Sequence, residues 1–160
     1  MAKGLPRDLP RLLSSAERLL TRWLAEVLAA QGCTVEEWRV MSLLADGRGH
    51  TMSDVAEHAL MPAPSLSKLV DRMVSANLVH RRKDPGDGRR ILAYLSPRGR
   101  ATHQRVAALV EEGQAQLLDG QEWTGELAAS LARLADHLDP DGDAQSRETI
   151  SKSSASARAR

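Results

Sequence analysis

Residues 62–96, PAPSLSKLVDRMVSANLVHRRKDPGDGRRILAYLS, constrain the fold more than any other stretch of the chain. Leu66, Leu69, Val70 and Met73 recur at helical spacing and form one apolar stripe, with Ser65, Ser67, Lys68, Asp71 and Arg72 on the remaining surface. The predicted helix spans 64–76. Pro62 and Pro64 fall where a first turn tolerates a missing N–H. Asn77 closes it, since Asn is the non-glycine residue best suited to a left-handed cap. Two β-prone runs follow, 78–83 and 91–96, joined by a DPGDG turn. In the second run Ile91, Ala93 and Leu95 alternate with Leu92 and Tyr94, so one face packs on the helix.

Charge gives this unit its direction. Residues 62–100 hold nine cations (Lys68, Arg72, Arg81, Arg82, Lys83, Arg89, Arg90, Arg98 and Arg100) against Asp71, Asp84 and Asp87, a net of +6. The whole chain is only +1, so everything else sums to −5. A basic island on an almost neutral protein is the electrostatic footprint of a nucleic-acid surface.

These pieces resemble the winged helix-turn-helix of the MarR (multiple antibiotic resistance regulator) family. MSDVAEHAL precedes SLSKLVDRMVSANLVHRR, then come DPGDGRR with Asp87 and Arg89 as an Asp-x-Arg pair, and LSPRG. Asn77 stands where the family usually has Gly. The resemblance implies a homodimeric transcriptional regulator, acting as a repressor, whose Asp87 holds the Arg89 guanidinium at a hairpin tip. It also implies regulation by small aromatic acids or by cysteine oxidation.

The rest of the chain is helical in pattern. Leu12, Leu13, Leu19, Leu20, Trp23, Leu24, Val27 and Leu28 mark a long amphipathic helix over 8–31, ended by Gly32. Thr34 to Glu37 is a capping box, and Thr51 to Asp54 repeats it with Asp. The helices at 51–60 and 64–76 form the helix-turn-helix, and the stretch around His50 suits a third strand. Ser96-Pro97 caps a helix over 97–119, and Thr124 a last one carrying Leu127, Leu131, Leu134 and Leu138. With no Phe, one Tyr and three Trp, the core must be aliphatic. The fold class is mainly α with a small β wing (α+β). Residues 1–33 form an N-terminal dimerisation helix, 34–97 the DNA-binding domain, 98–139 C-terminal dimerisation helices, and 140–160 a disordered tail.

The DNA-binding residues are then Pro64, Ser65, Ser67, Lys68 and Arg72 on the helix, with Arg81, Arg82, Asp87, Arg89 and Arg90 on the hairpin. The helix enters the major groove of a palindromic operator, where Pro64 offers only van der Waals contact. Arg89 enters a narrowed minor groove, and Arg81, Arg82 and Arg90 take phosphates. Arg18, Arg22, Trp23, Trp38 and Arg39 are candidates for binding a small aromatic anion. A module binding RNA or protein is the rival reading, but Tyr94 alone is a thin supply of aromatic stacking. A redox regulator built on Cys33 is another, though Arg39 is the only cation near it in sequence and gives no ground for a lowered thiol pKa. His50, His58, His80, His103 and His137 are too scattered for a metal site. No phosphate loop or nucleophile motif points to an enzyme or a cofactor. The absence of a long apolar run or signal core places the protein in the cytoplasm, off the membrane.

Overall fold

The computed structural model describes residues 8–118 and 123–139. The expected tail at 140–160 lies outside them. Helix α1 (Leu9–Ala29) leads to α2 (Val35–Leu44), strand β1 (His50–Thr51), α3 (Met52–Ala59) and α4 (Ala63–Ser75). Strands β2 (Val79–Lys83) and β3 (Ile91–Leu95) form the hairpin, followed by α5 (Pro97–Leu117) and α6 (Thr124–Leu138). The three strands make one antiparallel sheet in the order β1-β3-β2, with His50 opposite Ala93. This is the winged helix, mostly helical with a small sheet.

Helix ends follow local chemistry. Thr34 and Thr51 each accept from the amide three residues on, while Glu37 and Asp54 return the bond to the cap amide. At the C-termini of α1, α3 and α4 the chain turns through left-handed residues: Gly32 (φ 65°), Leu60 (φ 55°) and Asn77 (φ 55°). Each closes a paired motif, as where Asn77 and Leu78 donate to Val74 and Met73 at 2.9 Å. Leu60 is the surprise, because a γ-branched side chain gains nothing from that conformation. At α6 the expectation needs correcting: Trp123 occupies the N-cap position and Thr124 is the first helical residue.

The core is aliphatic. Leu66, Leu69, Val70 and Met73 of α4 are buried against Met41, Leu44, Val55, Val79, Ala93 and Leu95. Each such side chain contributes roughly 1.5–3 kcal/mol of burial. Ile91, by contrast, is half exposed although it shares the face of Ala93 and Leu95, because the hairpin tip projects past the helices that cover the sheet. Outside this core, Leu12, Leu19 and Leu20 of α1, Leu117 of α5 and Leu127 and Leu131 of α6 are each at least 40% exposed. Helix α6 buries no residue at all.

Candidate nucleic-acid interface

At 100° per residue, burying Leu66, Leu69, Val70 and Met73 fixes what α4 shows to solvent. Pro64, Lys68, Asp71 and Ser75 lie along the line opposite the core, with Ser65 and Arg72 flanking one side and Ser67 the other. All are exposed. The helix is held at its far end by a joint the sequence did not announce. Ser96 donates its amide to Leu78 O (2.9 Å) and its hydroxyl to Asn77 O (2.5 Å), and the same hydroxyl accepts from Gly99 N (2.9 Å). Gly99 must be glycine here, since a Cβ would run into the Leu78 carbonyl. Thus LSPRG caps α5 and buttresses the end of α4 in one device.

Strand parity sorts the basic residues of the wing. Arg81 lies opposite Ala93 and shares the covered face of the sheet, while Arg82 lies opposite Leu92 on the other face. Arg81 therefore reaches back to α4, where its Nη1 donates to Asp71 Oδ1 at 2.7 Å. The single acid on the outer line of α4 is neutralised from within the chain. Arg82, Lys83 and Arg89 are exposed, and Arg90 is half-buried.

The tip is shaped by two aspartates. Asp84 Oδ1 accepts from Gly86 N (2.8 Å) and Asp84 N donates to Arg90 O (2.9 Å). Asp87 O accepts from Arg90 N (2.9 Å), and its carboxylate accepts from the Arg89 amide at 3.1 Å. That differs from the expected grip on the guanidinium. The chain folds back at Gly88, bringing the main-chain N–H of Arg89 within reach of so short a side chain. Asp87 fixes the backbone under Arg89 and leaves its guanidinium in solvent.

The sequence model of the MarR family matches residues 31–90, from the turn after α1 to the base of β3. Over that stretch the chain is similar to the MarR family. That family is made up of transcriptional regulators, which are not enzymes. Among similar proteins is the HTH-type transcriptional regulator FarR of Neisseria gonorrhoeae, 29% identical over 132 residues, 79% of this chain and 90% of that one. The homoprotocatechuate degradative operon repressor of Escherichia coli is 26% identical over 127 residues, 79% of this chain and 84% of the repressor. Among solved structures, NadR in complex with 4-hydroxyphenylacetate superposes with a TM-score of 0.69 at 28% identity, covering 84% of this chain and 96% of NadR.

In this chain the candidate effector residues fall into separate groups. Trp38 of α2 stacks on His103 of α5, with centroids 5.0 Å apart and planes 9° from parallel. Trp23 of α1 meets α5 at Gly113, where an added Cβ would come within 3.0 Å of its ring. Ten residues of helix, about 15 Å, separate the two contacts. Arg39 is engaged elsewhere, donating to Ala59 O at 3.4 Å at the end of α3. Arg18 and Arg22 are exposed on α1. Burial holds His103 below its ordinary pKa against the opposing pull of Glu111.

Cys33 is buried beside the α1 cap, its thiol donating to Thr34 O at 3.4 Å. Burial, with Glu37 nearby, pushes its pKa up to about 11, so little thiolate exists at neutral pH. Tyr94 is half-buried and stacked on His80 within the sheet, with centroids 5.5 Å apart, which removes it as a platform for bases. Among the described residues no group of His, Cys, Asp or Glu is placed to hold a metal ion. No helix among them is long and apolar enough to cross a membrane.

Proposed function

We propose that this chain works as a homodimeric repressor of transcription that reads a palindromic duplex operator and lets go on binding a small aromatic carboxylate. The observation that carries the reading is the pairing of two surfaces. One is the basic face made by α4 and the wing tip, the other the unburied leucine rows of α1, α5 and α6. The first fits a polyanion. The second fits another copy of itself, because unpartnered apolar helices of this length are stabilised by an equivalent surface across a two-fold axis.

On this reading residues 34–97 are the DNA-binding unit, and the helices at 1–33 and 98–139 hold the dimer. Helix α4 lies in the major groove, with Ser65, Ser67, Lys68 and Arg72 toward bases and phosphates. Arg89, on a backbone pinned by Asp87, enters the minor groove, and Arg82 and Arg90 contact phosphate. Two units on one axis read half-sites about one helical turn apart. The aromatic effector is supported by the operon repressor named for homoprotocatechuate and by the NadR complex with 4-hydroxyphenylacetate. Here the Trp38–His103 stack is the candidate wall, Trp23 being about 15 Å further along α5, with Arg18 and Arg22 as the candidate cations.

The test is fluorescence anisotropy on a palindrome selected from random duplexes, with light scattering for mass. A dimer with a steep negative slope of log affinity against log salt is expected. Arg89→Ala should weaken specific binding by about 1–3 kcal/mol. A monomer indifferent to every duplex at low salt overturns the proposal.

A further inference from the structure

Resting on that reading, we infer that Pro64 is a specificity-determining residue that reads the 5-methyl group of a thymine in each half-site. Pro64 heads the outer line of α4, one turn before Lys68, and is exposed. Neither Pro62 nor Pro64 has an amide hydrogen to give. The next two amides, of Ser65 and Leu66, are both consumed by Pro62 O at 3.0 Å. Of the residues opening the helix, only Ala63 keeps an amide not used inside the chain, among the described residues. On its outer line the leading end of the helix therefore offers DNA the CH₂ groups of the Pro64 ring and no main-chain donor, with the Ser65 hydroxyl standing to one side.

Only one feature of the major-groove edge matches such a patch. Each base pair presents donors and acceptors there, and the thymine methyl is its single apolar group. A guanine, cytosine or adenine edge placed against Pro64 would lose water and receive no hydrogen bond in return, a penalty that disfavours it against a thymine methyl. The ring is also pre-ordered, so little side-chain entropy is lost on contact.

The position of Lys68 sharpens the pattern. It lies four residues on, about 6 Å along the axis, which is close to two base-pair rises. Lysine pairs with the O6 and N7 acceptors of guanine. Each half-site should thus carry a thymine and a guanine within about two base pairs, the thymine read by shape and the guanine by charge.

The experiment removes the methyl and nothing else. Each thymine of the selected operator is replaced in turn by deoxyuridine, and affinity is measured with the full-length protein. Removing one methyl from a contact should weaken binding about fourfold, and the symmetric change in both half-sites about fifteenfold. In Pro64→Ser, which gives the patch a hydroxyl, the loss at that thymine should shrink below twofold, while Pro64→Ala keeps part of it. Should a variant fail to fold, the wild-type scan alone decides. Tight wild-type binding with no thymine sensitive to deoxyuridine overturns this inference and leaves the regulator intact. So does a penalty unchanged in Pro64→Ser. Failure to bind any duplex removes both.

Discussion

Arg81→Gln separates a cation that touches DNA from one that prepares the surface for it. The Asp71–Arg81 pair spans 2.7 Å, but Asp71 is 64% and Arg81 32% exposed. A pair so wet contributes at most about 0.5 kcal/mol to folding, so the melting temperature should drop by only 1–2 °C or so. The effect on DNA is larger. Without Arg81, the Asp71 carboxylate stands bare on the outer line of α4. A phosphate about 7 Å away in water repels it by about 0.6 kcal/mol, and the two protomers of the proposed dimer double that, roughly an eightfold loss of affinity. Asp71→Asn should restore most of this loss in the Arg81→Gln background. In wild type, and in Arg82→Gln, it should change affinity little, because there the charge is already compensated. Anisotropy titrations of the four proteins in the Asp71–Arg81 cycle, with the two Arg82 variants as controls, give the answer. Should Asp71→Asn tighten binding equally in every background, Arg81 is an ordinary phosphate contact.

Three further outcomes follow from the packing. Gly99→Ala pushes a methyl into the immovable Leu78 carbonyl and should cost about 3 kcal/mol, a fall in Tm of roughly 6–12 °C, and a melt within two degrees of wild type refutes the close approach. Leu60→Gly relieves the left-handed backbone at a residue that is 76% exposed, so thermal melts should show a gain of about 0.5–1 kcal/mol, where no change or a loss would contradict it. His103 is held below the ordinary histidine pKa of 6.5, so the unfolded chain binds its proton more tightly; its contribution is full above that value and fades as pH falls below it. His103→Phe, which keeps the ring against Trp38, should flatten the drop in Tm between pH 7 and pH 5, and parallel curves for the two proteins count against the assignment.

What the sequence reveals here is what is decided within one turn of chain. The apolar stripe of α4, the capping boxes at Thr34 and Thr51, the Ser96 cap and the left-handed residues Gly32 and Asn77 are all written in neighbouring residues. Leu60 adopts the same left-handed turn with no such signal in its own side chain. Asp71 and Arg81 meet across ten residues, and only the parity of β2 against β3 brings them together. Asp87 was legible as a partner of Arg89, but spacing alone does not distinguish a side chain from a main-chain amide. Trp38 and His103 stack across 65 positions of chain, beyond the reach of any periodicity.

The serine joint also sets the mechanics of the molecule. Ser96 is the N-cap of a rod of 21 residues and, through Asn77 and Leu78, the brace beneath the end of α4. That rod is about 31 Å long, so a swing of about 5° at its pivot carries the far tip nearly 3 Å. No slack segment intervenes to absorb it. In the proposed dimer, a tilt imposed on the rods would become a change in the gap between the two α4 helices, which half-sites one turn apart would hold to about 34 Å.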